Sequence, residues 1–142
     1  ITDFWKDTGT PEDILQANTT ILENMKPYFH GTKEDDVMIE GNVMIGEGTI
    51  IKKRCKIIGP TIIGKNCQIT NDVQIGPNTS IGNDSILLHC NIKNSIIMNN
   101  CEINCNIKIK NSIIASNSKI TEQKIKHDER IFMLGEGTKI SL

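Results

Sequence analysis

An aliphatic residue occupies every sixth position over a long central stretch of this chain, and no other feature restricts the fold as much. The series comprises Ile39, Ile45, Ile51, Ile57, Ile63, Ile69, Ile75, Ile81 and Leu87. A period of six is not helical. Because six is a multiple of two, each member of the series points to the same side of a strand. Smaller residues, such as Thr49 and Cys67, lie two places before these positions and fit beside them.

Residues that favour turns lie midway between the aliphatic positions. They are Asn42, Gly48, Pro60, Asn66, Asp72, Asn78 and Asp84, with Arg54 as the exception. Gly, Asn and Asp tolerate the left-handed backbone angles that a sharp corner requires. Three strand-and-corner units close a triangular coil of about eighteen residues, with the aliphatic series along its axis. The predicted fold class is therefore all-β, a left-handed parallel β-helix of about five coils with an N-terminal helix.

The period changes after Leu87 but does not disappear. The segment 93–98, Lys-Asn-Ser-Ile-Ile-Met, recurs seventeen residues later at 110–115 as Lys-Asn-Ser-Ile-Ile-Ala. A coil that has lost one residue at a corner explains this spacing.

The residues before the repeats predict a helix. Thr10 suits the N-cap, Pro11 suits the first helical position, and Asp13 lies where a capping-box acid would stand. An apolar stripe follows, and Pro27 ends the helix. We expect this helix, over 11–26, to cover the open end of the first coil, and the charged tail to cover the last one.

Composition excludes several classes of function. A net charge of −1 does not favour nucleic acid or an anionic membrane as a partner. No apolar run approaches the roughly 20 residues that a membrane span needs. The five cysteines lack the Cys-x-x-Cys spacing of a zinc site. Most of them stand two places before an aliphatic position as small hydrophobes, and such reduced thiols indicate the cytoplasm.

The N-terminal residues resemble a known family. The residues that carry the resemblance are Trp5-Lys6-Asp7-Thr8-Gly9, Pro11, Asp13, Ala17 and Asn18. They are similar to the end of the catalytic domain of sugar-1-phosphate nucleotidyltransferases, and most of all to long-form glucose-1-phosphate thymidylyltransferases. The resemblance implies that Asp7 helps to hold the catalytic Mg²⁺ of a complete enzyme. That enzyme would join a nucleoside triphosphate to a sugar 1-phosphate, giving dTDP-glucose and pyrophosphate.

The same resemblance implies a division of the chain. Residues 1–36 would hold the end of the catalytic domain, the helix and a linker, residues 37–123 the β-helix, and residues 124–142 a capping tail. The family's second metal-binding Asp and its Gly-rich nucleotide loop would lie upstream of Ile1. We therefore expect this chain alone to be inactive in nucleotidyl transfer and to hold no cofactor.

Assembly is a further expectation from the resemblance, because hexapeptide β-helix proteins are usually trimers of parallel prisms. We expect a homo-oligomer, and specifically a trimer. The candidate subunit face consists of the outward apolar residues Ile50, Ile62, Ile86, Ile96 and Ile113.

A second hypothesis is enzymatic, because many hexapeptide β-helix proteins are acyltransferases. The chain would then transfer an acetyl group from acetyl-CoA to an amino-sugar phosphate within a bifunctional enzyme. His89, where the period slips, would be the base. The competing interpretation of His89 is a solvated turn residue, since no long loop is inserted between coils.

A short basic cluster lies in the first part of the repeats. It consists of Lys52, Lys53, Arg54 and Lys56. The cluster has two interpretations, as a contact for a phosphate group or an acidic surface, and as a solvated face.

Overall fold

The computed structural model describes residues 10–121 in full and the backbone of Glu129–Arg130, Met133–Leu134 and Lys139–Ser141. In these residues, one helix is followed by short parallel strands that form three sheets, A, B and C. Sheet A contains β1 (Tyr28–Phe29), β4 (Val43–Ile45), β7 (Thr61–Ile63), β10 (Thr79–Ile81), β13 (Ile96–Ile97), β16 (Ile113–Ile114) and β19 (Met133–Leu134). Sheet B contains β2 (Thr32–Lys33), β5 (Ile50–Ile51), β8 (Gln68–Thr70), β11 (Ile86–Leu88), β14 (Glu102–Asn104), β17 (Lys119–Thr121) and β20 (Lys139–Ser141). Sheet C contains β3 (Met38–Glu40), β6 (Lys56–Ile58), β9 (Gln74–Ile75), β12 (Asn91–Lys93), β15 (Lys108–Lys110) and β18 (Glu129–Arg130).

The six-residue series fills the axis of the coil. In sheet B, Ile51, Ile69, Leu87 and Ile103 stand in register on successive strands, and each is 0% exposed. The equivalent columns of sheets A and C complete one continuous core. Burial of each such side chain contributes about 1.5–3 kcal/mol. The predicted parallel β-helix with an N-terminal helix is confirmed.

The small residues beside the axis form hydrogen bonds as well as filling space. Between sheets A and B, the backbone N–H of Cys67 donates to the Thr49 hydroxyl at 3.0 Å, and that hydroxyl donates to the Gly64 carbonyl at 2.6 Å. The next pair along this corner repeats the first bond, from Cys101 N–H to the Ser85 hydroxyl at 3.2 Å. Each buried hydroxyl thereby avoids the cost of about 1–3 kcal/mol for an unpaired polar group.

The corners adopt the backbone angles that their residue types predict. Between sheets A and B, Asn66, Asp84, Asn100 and Asn117 have φ values of 58°, 62°, 58° and 66°. Arg54, which is not a turn former, has a φ of 58° as well. A side chain with a Cβ costs about 1–2 kcal/mol in this region, so Arg54 needs compensation from its contacts.

The register explains the change of period after Leu87. Two residues link β11 to β12, where three residues link β8 to β9, so the corner between sheets B and C has lost one position. On the next circuit the lost position lies between sheets C and A, where the inward residues Ile92 and Ile97 are five positions apart and Ile75 and Ile81 are six apart. Lys93 therefore pairs with Lys110, which confirms the predicted spacing of seventeen residues.

Helix α1 spans Pro11–Glu23 and begins at the predicted N-cap, where Thr10 Oγ1 accepts from the backbone N–H of Asp13 at 3.1 Å. Its capping residue at the other end is Asn24, so it stops short of the predicted end at residue 26. A helix of this length is about 20 Å long. Five neighbouring strands span about 19 Å, so α1 matches the width of sheet A from β4 to β16.

The helix lies on the side of the prism and not over its end, contrary to our expectation. Ile14 and Leu15 pack on Ile113 and Ile96, which point outward from sheet A. Ile113 is consequently only 4% exposed, whereas Ile50 on the outside of sheet B is 40% exposed. Part of the apolar face that we expected between subunits is thus covered by the chain's own helix.

Polar contacts fix the remainder of α1 to sheet A. The Ser80 hydroxyl donates to Asn18 Oδ1 at 2.7 Å near the middle of the helix. At the C-terminal end, Nδ2 of Asn42 donates to the carbonyls of Leu22 at 3.1 Å and Met25 at 2.7 Å. One carbonyl of the last helical turn and one just beyond the helix therefore have a partner on the β-helix.

Strand pairing extends beyond residues 37–123 in both directions. In the expected linker, β1 pairs with β4 and β2 pairs with β5. No aliphatic period marks these strands, because backbone pairing with an edge strand needs no particular side chain. After residue 123, β18, β19 and β20 each add a strand to one of the sheets. The functional division into three domains stays a prediction.

The described part of the chain contains no helix of the length and apolarity that would cross a lipid bilayer.

Candidate functional site

The expected metal-binding residue, Asp7, lies outside the described residues. Within the described residues, no three His, Cys, Asp or Glu side chains are grouped so as to hold a metal ion.

His89 occupies the shortened corner between sheets B and C. It is exposed, and its φ of 62° places it in the left-handed region. Among the described residues, no hydrogen bond orients its imidazole ring. A general base requires a positioned ring within reach of the proton it removes. His89 has the geometry of a solvated corner residue, and its catalytic role stays a prediction.

A column of charges follows the same corner. Arg54 donates from Nε to Asp72 Oδ1 at 2.7 Å and from Nη2 to Asp72 Oδ2 at 3.1 Å. This two-pronged ion pair compensates for the left-handed backbone of Arg54. The hydrogen bond from Arg54 lowers the pKa of the Asp72 carboxyl, and the charges of Arg54 and His89 lower it further. Asp72 is hydrogen-bonded to Arg54 and forms no hydrogen bond with the His89 ring.

The basic cluster is divided between different surfaces. Lys52 and Lys53 are exposed, Arg54 pairs with Asp72, and Lys56 Nζ lies 3.9 Å from a carboxylate oxygen of Glu40. An open cleft of about 550 Å³ at this corner is lined by Glu34, Asp35, Asp36, Lys53 and Arg54. Because acidic and basic side chains both line the cleft, its charge favours neither an anionic nor a cationic ligand.

The cysteines supply no reactive thiol. None of the five forms a disulfide and all are buried, in agreement with their interpretation as small hydrophobes. Burial raises the pKa of the thiols of Cys55, Cys67, Cys90 and Cys101. The thiolate, which is the nucleophile, is therefore disfavoured at neutral pH.

Two clefts flank the corner between sheets C and A. One, of about 420 Å³, lies beside α1 and is lined by Glu12, Leu15, Gln16, Thr19, Asn94 and Asn111. The other, of about 350 Å³, is lined by Asn91, Lys93, Lys108, Ile109 and Lys110 on sheet C. The sequence interpretation missed both clefts, although the repeat at a spacing of seventeen residues already aligned Lys93 with Lys110 and Asn94 with Asn111.

The fold and the placement of these clefts define a class of protein. The interior is filled by side chains, and the clefts lie on the outer faces and corners, as in a hexapeptide-repeat β-helix domain. The chain belongs to the GMPPB C-terminal domain family, whose sequence profile matches residues 57–141. This match covers more than half of the chain.

Relatives with curated names agree with this assignment. The chain is similar to glucose-1-phosphate thymidylyltransferase of Streptomyces antibioticus, with 39% identity over 57 residues that form 40% of this chain and 16% of that protein. It is also similar to the bifunctional protein GlmU of Methanococcus aeolicus, with 51% identity over 49 residues, 34% of this chain and 12% of that protein. The resemblance to sugar-1-phosphate nucleotidyltransferases is confirmed at this level. The matches span less than a fifth of either relative's length.

Among solved structures, the chain is similar to the acetyltransferase domain of PglB from Neisseria gonorrhoeae in complex with acetyl coenzyme A. The identity is 8% and the TM-score is 0.35, over 92% of this chain and 62% of that one.

Proposed function

We propose that this chain is the β-helix domain of a sugar-1-phosphate nucleotidyltransferase that makes dTDP-glucose and pyrophosphate. The domain holds subunits together, and the chemistry belongs to a catalytic domain in which Asp7 helps to bind Mg²⁺. The family match over residues 57–141 is the observation that carries this proposal. The similarity to a glucose-1-phosphate thymidylyltransferase supports the particular nucleotide and sugar. Five buried cysteines that form no disulfide support a reducing compartment such as the cytoplasm.

Within this proposal the assembly is a trimer, and its interface uses the outer face of sheet B. Helix α1 covers sheet A, so that face does not meet a second prism. Sheet B presents Ile50 on β5 and Ile86 and Leu88 on β11 outward, on either side of β8, and the first of these is 40% exposed. Apolar side chains in such a patch are stabilised when a partner removes them from water.

The experiment is light scattering of the purified chain at micromolar concentration. The wild type should have the mass of three chains, and the Ile50→Glu/Ile86→Glu variant should be monomeric, because it would place carboxylates in the apolar contact. The matched control is Met98→Glu, which adds a carboxylate at an exposed apolar side chain elsewhere. A monomeric wild type would overturn the trimer.

The catalytic part of the proposal has its own test in the enzyme that carries this sequence. Asp7→Asn should abolish Mg²⁺-dependent release of pyrophosphate from dTTP and glucose 1-phosphate, whereas Asp13→Asn should retain it. Equal activity in the wild type and Asp7→Asn would refute the role of Asp7.

The second candidate function is acetyl transfer. The observation in its favour is the exposed position of His89 at an irregular corner of the coil. Incubation with acetyl-CoA and an amino-sugar phosphate would then release a free thiol. Turnover that disappears in His89→Ala would favour this function. Absence of turnover in the wild type would remove it.

A further inference from the structure

The contact between α1 and sheet A contains one polar side chain in each of two apolar rows. On the helix, Asn18 lies three positions after Leu15 and four before Leu22, within the buried apolar stripe. On sheet A, one outward residue of each strand from β4 to β16 stands in a single column, which consists of Met44, Ile62, Ser80, Ile96 and Ile113. Ser80 is the polar member of this column.

The two polar side chains are bonded to each other. The Ser80 hydroxyl donates to Asn18 Oδ1 at 2.7 Å. The Nδ2 atom of Asn18 is shielded from solvent and has no hydrogen-bond partner among the described residues. The pair thus forms one hydrogen bond where two polar groups are removed from water, and two apolar side chains in their place would be about as stable. A gain in stability alone does not account for the pair.

Helix α1 and sheet A have repeats of similar length. One helical turn rises about 5.4 Å, and neighbouring strands lie about 4.8 Å apart. Because α1 crosses the strands, residues one turn apart stand over successive strands, so that Leu15 packs with Ile96 and Ile113 while Asn18 reaches Ser80 on β10. A shift of α1 by one turn would again place most apolar side chains on apolar side chains. Apolar packing therefore distinguishes poorly between these registers.

The chain connection permits such a shift. Residues 24–27 join α1 to β1. Three residues that leave the last turn and become extended gain about 5 Å, since the rise per residue increases from about 1.5 Å to about 3.3 Å. The Asn42 side chain binds the carbonyls of Leu22 and Met25, but every helical turn has carbonyls, so this contact does not recognise a side chain.

We propose that Asn18 and Ser80 select a single register of α1 on sheet A. In a shifted register, the Asn18 amide would lie against Ile62 or Ile96, and both polar groups would be buried without a partner. The cost of that burial disfavours the other registers, whereas the apolar contacts supply the stability.

The register also fixes the level along the prism at which Thr10, the N-cap of α1, is held. The consequence for the enzyme rests on the proposed function, in which the sequence before Thr10 belongs to the catalytic domain. The register of α1 then sets where that domain is attached to the β-helix.

The test is methyl NMR of the purified chain with labelled isoleucine. In the wild type, the δ1 methyl groups of Ile96 and Ile113, which lie beneath α1, should each give one resonance. In Asn18→Leu/Ser80→Ala, both methyl groups should give additional or broadened resonances, because several registers are then populated. This experiment does not measure nucleotidyl transfer, so its outcome is separate from the success or failure of the proposed function.

Two controls accompany the double variant. Thr20→Ala removes a hydroxyl that donates to the Gln16 carbonyl at 3.1 Å within α1, and it should give the resonances of the wild type. Ser80→Thr keeps the hydroxyl and should also retain one resonance for each methyl group. The inward Ile69 should give one resonance in every protein, which verifies that the β-helix is intact.

Thermal unfolding separates selection of a register from simple stabilisation. Ser80→Ala alone leaves the Asn18 amide unpaired in an apolar contact and should lower the melting temperature by about 2–8 °C. The double variant removes both polar groups and should melt at or above the temperature of the wild type.

Two results would overturn the proposal. One is an unchanged single resonance for Ile96 and for Ile113 in the double variant, because α1 would then keep its register without the pair. The other is a double variant that melts as low as Ser80→Ala, because the pair would then be an ordinary stabilising contact.

Discussion

The outer faces of sheets A and C cover equivalent walls of the same prism but have opposite character. On sheet A, the outward Ile96 and Ile113 lie beneath α1. On sheet C, the outward Lys93 and Lys110 line an open cleft. From β4 to β16 on sheet A and from β6 to β15 on sheet C, the inward residues are aliphatic and buried. The repeat therefore fixes the interior of every wall, while the outward positions are free to differ and to carry function.

Among substitutions that test this comparison, one at an inward position should cause the largest loss of stability. Ile69→Ala should lower the free energy of unfolding by about 2–5 kcal/mol, because the axis has no side chain that could fill the cavity. Gln68→Ala, which changes the adjacent outward residue, should alter it by less than about 0.5 kcal/mol. Chemical denaturation at one fixed protein concentration measures both values, since assembly would otherwise contribute. Similar losses in the two variants would mean that inward and outward positions do not differ as described.

A smaller loss of stability should follow from a change in the contact between α1 and sheet A. Leu15→Ala removes a side chain that is 4% exposed and packs on sheet A, so we expect a loss of about 2–3 kcal/mol. Ile21→Ala is the control on the same helix, because that side chain is 59% exposed and should cost little. An equal cost for both would argue against docking of α1 on sheet A.

The polar attachment of the helix should contribute less again. Asn42→Ala removes two hydrogen bonds to the end of α1, and we expect a loss of about 1–2 kcal/mol. Asn104→Ala on the exposed side of sheet B should be nearly neutral. Hydrogen exchange of the backbone amides would show whether the loss of protection is confined to the last turn of α1. Confinement to that turn is expected if Asn42 stabilises the protein through this contact.

The smallest expected effect concerns the corner between sheets B and C. The hydrogen bond from Arg54 lowers the pKa of Asp72 in the folded state, so its contribution to stability is present above the pKa of the unfolded state. That contribution is lost as the pH falls through the lowered pKa of the folded state. Asp72→Asn should therefore flatten the acid side of the profile of melting temperature against pH. Arg54→Gln should flatten it as well, and an unchanged profile in both variants would contradict the pairing.

Much of the interior was predictable from the sequence, because a period of six places residues such as Ile69 on the inward side of every strand. The N-terminal cap of α1 was predictable too, since Thr10 and Pro11 act locally. Its docking was not, because the pattern that makes Ile113 point outward says nothing about what covers it. The strands of the expected linker were missed because backbone pairing leaves little trace in the side chains.

The candidate sites were less predictable than the fold. The position of His89 at a corner followed from the slip in the period. The ion pair of Asp72 with Arg54 was missed, although the two residues are 18 positions apart and so stand on successive coils. The lysine cleft required the register between Lys93 and Lys110, which the seventeen-residue repeat already contained.

The attachment of α1 has a mechanical consequence. A solenoid touches only its neighbours along the stack, so its ends can fray while its centre persists. Here one rigid rod is fastened near β4 through Asn42 and near β16 through Ile113. Separation of the coils between β4 and β16 must therefore break a contact with the rod, which favours unfolding of these coils in a single step. Force applied through the segment before Thr10 would spread along the flank of the prism and would not peel the coils away one by one.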